Sequence, residues 1–313
     1  VVHMIYFESL YVQLIRKKMK TNALTIIVTG VIGVCLFMNS CSSSGRDVFK
    51  VKNFPDSLPG IELEETTPQK YLMTAEYFNK DIYGNLFGKI KVTGEYTRGL
   101  DSGYVCWNNV YIAQVNEPAQ SFNEPAQSFN DPAQSYGEGE RQDYMENIRY
   151  IPSQDMLEES YFQKFNIDDV FVRNLIWDMM AIEEYAWDYY DSLQLNKTYV
   201  VRDIGGSFDM ADIGTYDHAK IEADWIGISM MNKRLCAIIE YRALDNKVEL
   251  NTDILKSKGS ELYWGKTWIS LENKQIEYAQ MYSYTVQEME IREMPNKILA
   301  GTKREIKLER IKQ

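Results

Sequence analysis

Histidine is scarce in this sequence, which contains only His3 and His218 among 313 residues. The chain therefore has too few histidines for most histidine-based metal sites, and few candidates for a histidine of a catalytic triad. Basic residues are also in the minority, with 34 Lys and Arg against 45 Asp and Glu, so the formal net charge is −11. Because a protein that binds nucleic acid needs a basic surface to displace counterions from the phosphates, we expect no nucleic-acid partner.

The short motifs of several large enzyme classes are missing after residue 40. The chain has no G-x-S-x-G, H-E-x-x-H, P-loop or G-x-G-x-x-G pattern there, so we expect neither a metal ion nor an organic cofactor. The composition is otherwise ordinary for a globular protein, with 45% hydrophobic and 25% charged residues. This balance excludes disorder, collagen and a coiled coil as the main architecture.

The first forty residues have the pattern of an export signal. The segment Ala23–Met38 carries no charge and follows a basic cluster at residues 16–20, as in the apolar and basic regions of a secretory signal. The segment is shorter than the roughly 20 residues that span a bilayer, so a cleaved signal is favoured over an uncleaved membrane anchor. Met19 is the favoured translation start, and residues 1–18 are treated as an N-terminal extension.

A cysteine follows this apolar segment directly. The run Met38-Asn39-Ser40-Cys41 precedes a serine-rich stretch and resembles the lipobox of bacterial lipoproteins, in the loosened form typical of Bacteroidetes. The resemblance implies cleavage before Cys41, lipidation of its thiol, and a location in the cell envelope, with the outer membrane expected and its periplasmic or surface face left open. We therefore divide the chain into a signal at 1–40, a lipidated tether at 41–69 and a single domain at 70–313.

Strand signals dominate the domain. Residues rich in Val, Ile, Thr and Tyr, separated by turn residues, predict strands at Tyr71–Phe78, Leu86–Thr97, Tyr104–Val115, Lys197–Ile204, Ala219–Met230, Lys233–Ala243, Lys247–Asn251, Glu261–Leu271, Ile276–Ile291 and Lys303–Ile311. Helical spacing of apolar residues predicts one long helix over Ile167–Leu193 and a shorter piece within Ser153–Phe165. The dipeptide Asp245-Asn246 is expected to form a hairpin turn. The predicted fold class is α+β, a curved antiparallel sheet (a half-barrel-like meander) with the long helix packed across it.

This order of elements resembles the half-barrel carrier and sensor proteins of the bacterial envelope, of the LolA, LolB and RseB type. The resemblance rests on architecture from Tyr71 to Ile311, and no functional residue is carried over from it. A heptapeptide repeat interrupts the strands at 116–136, where NEPAQSF occurs twice and is followed by NDPAQSY. Because proline in each unit blocks a helix or a paired strand, this segment is expected to be an inert loop, with a displayed ligand motif as the alternative.

One strand has an unusual distribution of aromatic residues. With a period of two, Trp264, Lys266 and Trp268 share one face, opposite to Tyr263, Thr267 and Ile269. Two indoles with a cation between them could stack on a sugar ring or line a groove for a lipid. The alternative is that both indoles lie in the core under the helix. On the next strand, Tyr278, Tyr282 and Tyr284 also share a face. The candidate ligand-binding residues are Trp264, Lys266, Trp268, Tyr278 and Tyr282.

Two acidic segments raise the alternative of a hydrolase. The stretch Arg202–Lys220 contains four aspartates and His218, but its spacing fits no metal-binding rule and favours a solvated glycine-rich turn. On the long helix, Glu184 and Asp188 lie four residues apart on one face. The cysteines Cys106 and Cys236 are interpreted either as a disulfide or as two separate buried strand cysteines.

These observations favour a non-catalytic envelope lipoprotein that binds a hydrophobic ligand, a glycan or a partner protein. The membrane is expected as a partner through the lipid on Cys41. The alternatives are an envelope hydrolase that uses the clustered Asp and Glu residues, and a structural accessory subunit.

Overall fold

The computed structural model describes residues 57–84, 86–114, 136–153, 159–165, 167, 169–201, 206–210, 214–218, 220–253, 255–292 and 296–311. Cys41, the predicted signal and all of the heptapeptide repeat except Tyr136 lie outside these residues. Within them, thirteen strands form one sheet, and all of its strand pairs are antiparallel.

The strands in the first half of the chain are β1 (Gln69–Asp81), β2 (Leu86–Arg98), β3 (Val105–Gln114), β4 (Glu140–Arg141) and β5 (Ile148–Tyr150). The helices follow as α1 (Glu159–Gln163) and α2 (Val170–Trp187), with short 3-10 turns at Asp101–Gly103, Asp143–Met145 and Tyr190–Ser192. The remaining strands are β6 (Thr198–Val201), β7 (Gly206–Asp209), β8 (Gly214–His218), β9 (Ile221–Met231), β10 (Arg234–Asn251), β11 (Leu255–Ser270), β12 (Ile276–Ile291) and β13 (Ile298–Arg310).

The main path of the sheet runs β4-β3-β2-β1-β13-β12-β11-β10-β8-β7. The first and last of these strands do not pair with each other, so the sheet is curved and open rather than closed. The first and last described strands meet in the middle, where β1 pairs with β13 over eleven positions from Tyr71↔Arg310 to Asp81↔Ala300. The predicted α+β class, with a helix packed on a curved antiparallel sheet, is confirmed.

The long helix α2 covers one face of the sheet, called here the inner face. Its first turn is capped by Asp169, whose side chain accepts hydrogen bonds from the backbone amides of Phe171 (2.8 Å) and Val172 (3.2 Å). Apolar residues at helical spacing are almost fully buried against the sheet, namely Val172, Leu175, Ile176, Met179, Ile182 and Ala186. Burial of such a side chain contributes about 1.5–3 kcal/mol, so this apolar stripe holds the helix in place.

Gly94 of β2 allows the helix to approach closely. A Cβ atom at this position would lie 3.1 Å from the Leu175 side chain and 3.1 Å from the Trp107 ring. The inner face of β2 is otherwise apolar, with Ile90, Val92 and Tyr96 buried, as the alternation in the sequence predicts. The bare glycine therefore makes room for the helix on a face that is otherwise filled by larger side chains.

One predicted turn is absent from the structure. Asp245-Asn246 does not form a hairpin turn, because β10 continues through it with a bulge between Ala243 and Asn246. Asn246 is fully buried, and its amide nitrogen donates to the carbonyls of Ala243 (3.4 Å) and Glu261 (3.3 Å). At this point the neighbour of β10 changes from β9 to β8, so the one extra residue of the bulge accompanies a change of partner strand rather than a reversal of the chain.

The segment before β1, which the sequence predicts to be part of the tether, also contacts the domain. Residues 57–68 lie against the domain: Leu58 is buried, and the Glu64 amide donates to the Asn273 carbonyl (3.1 Å). The Asn273 side chain in turn donates to the Glu64 carboxylate (3.2 Å). Residues 57–68 therefore pack against the domain.

The structure distinguishes between the two interpretations of the cysteines. Cys106 on β3 and Cys236 on β10 are both free and buried, and five strands separate β3 from β10 in the sheet. A disulfide needs Cα atoms within about 7 Å, which this separation does not provide, so the alternative of two separate buried thiols describes the structure. None of the helices in the described part of the chain is long and apolar enough to cross a membrane.

Candidate functional site

The face of the sheet opposite to α2, called the outer face, carries Trp264 and Trp268 of β11 and Tyr278 and Tyr282 of β12. Trp264 is 40% exposed, and its ring stacks on Tyr282 with centroids 5.7 Å apart and an angle of 21° between the planes. The two residues are direct cross-strand partners. Part of the Trp264 indole is therefore accessible on the outer surface. Among the tryptophans of the described strands, Trp264 is the most exposed.

Trp268 lies on the same face but is packed more tightly. It is 9% exposed and belongs to a small apolar cluster with Met231, Cys236 and Ile238. Its indole nitrogen donates to the Ser229 hydroxyl (3.2 Å), and its ring meets Tyr278 edge to face at 5.2 Å. Trp268 therefore supports the neighbouring surface instead of presenting a ring to solvent.

Charged side chains border the exposed indole on the β10 side. Lys266 forms an ion pair with Glu240 (3.0 Å), its partner across the strands. Arg242, the cross-strand partner of Trp264, is held by Glu222 (2.8 Å) and Asp224 (2.7 Å). The five residues predicted from sequence thus share the outer face, and we name the set Trp264, Lys266, Trp268, Tyr278 and Tyr282 the aromatic platform. Neither of its tryptophans lies on the inner face under the helix.

A second feature of the outer face lies near the other end of the sheet. A shallow groove of about 310 Å³ is lined by Lys91, Thr93, Tyr111, Ala113 and Gly139, and is called the edge groove. Sequence reasoning did not identify it. The alternation of β2 correctly separates Lys89 and Lys91 from the buried Ile90, but the groove also needs β3 and the residue before β4, and their pairing is a tertiary property.

The lysines beside the groove pack on an aromatic ring. The ammonium groups of Lys89 and Lys91 lie 4.5 Å and 5.4 Å from the ring centre of Tyr136, the last residue of the third heptapeptide unit. Lys89 also lies 4.9 Å from the ring centre of Phe78. Burial and the nearby Glu76 carboxylate raise the pKa of the Tyr136 hydroxyl. The rings hold the lysine side chains in place without neutralising them.

The acids of α2 divide into two groups. Asp178 and Glu183 are buried and pair with arginines of the sheet, Asp178 with Arg304 and Glu183 with Arg98 (2.7 Å). The Tyr96 hydroxyl also donates to Glu183 (2.8 Å). These contacts fix the helix to the inner face, and both carboxylates are already engaged.

Glu184 has a different environment from its neighbour. Partial burial and the Asp188 carboxylate raise the pKa of Glu184 to about 7, although the Tyr189 hydroxyl donates to it (3.3 Å) and opposes this shift. On the next position of the helix, the Tyr185 hydroxyl contacts that of Tyr263 on β11. The pair Glu184 and Asp188, named from sequence spacing, therefore lies close enough for mutual repulsion, beside a pair of tyrosine hydroxyls.

The glycine-rich stretch Arg202–Lys220 is only partly described. Its residues 206–209 and 214–218 form the hairpin of β7 and β8, although the sequence predicts a solvated turn there. The hairpin forms because β8 pairs with the end of β10. His218 packs against Tyr216, with ring centres 4.8 Å apart, and burial lowers the pKa of its imidazole. Across the described residues, no group of three or more His, Cys, Asp or Glu side chains is placed to hold a metal ion.

No family model matches the chain, and neither a curated protein nor a solved structure is significantly similar to it.

Proposed function

We propose that this protein is a non-catalytic lipoprotein of the cell envelope that binds a glycan on the outer face of its sheet. The lipobox-like run ending at Cys41 supports the lipid anchor. The aromatic platform supports the binding role. The lipid on Cys41 would supply the attachment to the membrane, because an acidic protein gains little from the surface of an anionic bilayer.

The single observation that carries the binding role is the exposed Trp264 stacked on Tyr282 beside charged side chains. A sugar ring has an apolar face of C–H groups and an edge of hydroxyls. The indole suits the apolar face. The Lys266–Glu240 pair and Arg242 supply hydrogen-bond donors and acceptors for the hydroxyls at the same site.

A hydrophobic ligand inside the curve of the sheet has less support. The helix α2 occupies the inner face, where Val172, Leu175 and Ile182 are each fully buried against the sheet. Entry of a lipid chain would require displacement of this helix together with its ion pairs to Arg98 and Arg304. The outer face is accessible without any such rearrangement.

The glycan role is tested by binding of the purified domain to an array of neutral and acidic oligosaccharides, followed by titration of the hits. Trp264→Ala should weaken binding by about tenfold or more, since a truncated aromatic anchor often costs roughly 2 kcal/mol. Tyr83→Ala is the matched control, because Tyr83 is an 84% exposed aromatic in the turn between β1 and β2. Absence of any glycan hit, or equal loss in both variants, would argue against this role and favour a protein partner.

The anchor is tested in cells that process bacterial lipoproteins. Cys41→Ala should abolish incorporation of a labelled fatty acid and leave the unprocessed precursor, because only a thiol accepts the diacylglyceryl group. Cys236→Ala is the control for loss of a cysteine elsewhere in the chain. Continued labelling of the Cys41→Ala protein would overturn the assignment of the anchor without affecting the glycan role.

The hydrolase alternative is favoured by one observation, the raised pKa of Glu184 beside Asp188. A carboxyl group that titrates near pH 7 is suited to general acid catalysis, with a second carboxylate nearby as its partner. Release of reducing ends from the glycans that bind, lost in Glu184→Gln and retained in Trp264→Ala at saturating glycan, would replace the non-catalytic assignment with this one.

A further inference from the structure

The aromatic platform and the edge groove lie on one line across the outer face. The cross-strand pairing joins a single row of residues from β3 to β11, each directly opposite the next: Ala113, Lys91, Glu76, Glu305, Tyr282 and Trp264. Neighbouring strands are about 4.8 Å apart. The four steps from Lys91 to Trp264 therefore cover about 19 Å, measured perpendicular to the strands.

The chemistry changes along this row. Trp264 and Tyr282 form its aromatic end. Glu76 and Glu305 occupy the middle, where Lys303 pairs with Glu305 (2.7 Å). Lys91 and the edge groove form the other end. A ligand that follows the row would meet first an aromatic surface, then hydrogen-bond acceptors and finally a cation.

The edge groove remains open because of a glycine. A Cβ atom on Gly139 would lie 3.3 Å from the Tyr111 Cβ and 3.7 Å from the Ala113 Cβ, so any larger side chain there would enter the groove. The backbone of Gly139 does not require a positive φ. Substitution at this position therefore changes the space in the groove without imposing backbone strain.

The charge of the groove is opposite to that of the chain. The protein carries a formal net charge of −11, yet Lys89 and Lys91 converge on Tyr136 beside the groove. Among the described residues, no carboxylate lies within ion-pair distance of either lysine. Glu76, the cross-strand partner of Lys91, lies beside the Tyr136 hydroxyl but forms no ion pair with either lysine. A cation that is ordered by aromatic contacts and is not in an ion pair is complementary to an anionic group on a ligand.

From these observations we propose that the edge groove is a second subsite, in which Lys91 binds the carboxylate of an acidic sugar at one end of an oligosaccharide whose neutral part crosses the row to Trp264. This inference rests on the proposed glycan-binding function and specifies the class of glycan. Glu76 and Glu305 restrict the acidic group to the Lys91 end, since a carboxylate above them would be repelled. Sugar hydroxyls, in contrast, donate hydrogen bonds to carboxylates.

The test uses matched pairs of oligosaccharides that differ only in one terminal uronic acid, titrated into the folded domain. We expect the wild-type protein to bind the acidic member about tenfold more tightly, as a charge-assisted hydrogen bond allows. Lys91→Met should abolish this preference and leave the neutral member unchanged, and Lys91→Arg should restore it. The preference should also weaken with added salt.

Two further variants separate the contribution of the groove to affinity from the effect of losing a surface lysine elsewhere. Gly139→Leu should fill the groove and reduce the affinity for the acidic member, whereas Lys297→Met, which removes a lysine from an exposed pair with Glu288 (2.7 Å), should change neither affinity. Trp264→Ala should weaken both members of each pair.

The possible outcomes distinguish the two proposals. Equal wild-type affinity for acidic and neutral members, or an unchanged preference in Lys91→Met, would overturn the subsite while the glycan role of Trp264 stands. Failure of every pair to bind would overturn both. Loss of both members in Lys91→Met, with normal folding by circular dichroism, would show that Lys91 acts on the whole site and would also contradict a carboxylate-specific subsite.

Discussion

Arg98 of β2 and Glu183 of α2 form an ion pair of 2.7 Å in which both side chains are about nine-tenths buried. The Arg98 guanidinium also lies 3.8 Å from the ring centre of Trp187 at the end of the helix, and it reaches Glu65 in the segment before β1. One arginine thus connects the sheet, the helix and the N-terminal segment of the described domain.

Glu183→Gln should destabilise the protein by about 3 kcal/mol, because it leaves the buried Arg98 charge with only the more exposed Glu65 as an ion-pair partner. Chemical denaturation followed by circular dichroism measures the change. Glu288→Gln, which breaks an exposed pair with Lys297, is the control and should cost less than about 1 kcal/mol. The double variant Arg98→Met, Glu183→Met should recover much of the loss, and a cost equal to that of Glu183→Gln would contradict this interpretation.

The two tryptophans of β11 should differ in their contribution to stability. Trp268→Ala should lower the free energy of unfolding by about 3–5 kcal/mol, since it empties a packed apolar cluster and removes the partner of Ser229. Trp264→Ala should cost about 1 kcal/mol or less, because its ring is 40% exposed. Equilibrium unfolding in urea compares them. Collapse of the fold in Trp264→Ala would remove it as a binding residue.

Gly265 should be sensitive to the addition of a single methyl group. A Cβ at this position would overlap the Tyr241 hydroxyl and would lie 2.6 Å from the Gln280 carbonyl oxygen. Gly265→Ala should therefore cost about 1–3 kcal/mol. Gly60→Ala, where nothing lies within 4 Å, is the control and should shift the melting temperature little.

The hydroxyl of Tyr241 is the atom nearest to a Cβ at position 265. It is buried and has no hydrogen-bond partner among the described residues, so Tyr241→Phe should be neutral or stabilising. Combined with Gly265→Ala, it should recover a small part of the loss, because the hydroxyl contact is relieved while the contacts with the Cζ atom of the ring (2.5 Å) and with the Gln280 carbonyl oxygen remain. A strictly additive double variant would show that the Tyr241 hydroxyl does not resist the methyl group.

The carboxyl group of Glu184 should make stability depend on pH. Its pKa is about 7 in the folded protein against 4.5 for a free side chain, so the folded state holds the proton more tightly than the unfolded state. The resulting stabilisation is fully present below about pH 4.5 and is lost as the pH rises through 7.

Water reaches part of the Glu184 side chain and screens it, so the expected change is about 1 kcal/mol. Melting temperatures of the wild type and of Glu184→Gln, recorded from pH 4 to pH 8, measure it as a difference. This comparison cancels the opposite contribution of His218, whose pKa is lowered by burial. Parallel profiles for the two proteins would contradict the raised pKa of Glu184.

Much of the local structure follows from short stretches of sequence. The period of two in β11 separates Trp264 from Tyr263, because successive side chains of a strand point to opposite faces. The helical spacing of Val172, Leu175 and Met179 predicts α2. The structure places its ends at Val170 and Trp187, inside the predicted range, since Asp169 caps the first turn and a 3-10 turn follows the last.

Other features depend on partners that are distant in the chain. The bulge at Asn246 is a turn signal by composition, yet the strand continues because β9 and β8 pair with its two halves. The same pairing makes β8 a strand in a stretch that is rich in glycine and aspartate. Local composition describes what a segment favours in isolation, and neighbouring strands provide the hydrogen bonds that override it.

The sequence by itself determined the antiparallel α+β architecture and the alternation that places aromatic residues on one face of β11. The tertiary structure alone decided that the helix covers the other face, which leaves Trp264 accessible, and that Lys91 and Trp264 lie on one row of the sheet. The physical reason is that side-chain alternation is a property of a single strand. The register between strands, in contrast, is set by which apolar residues are buried together under the helix.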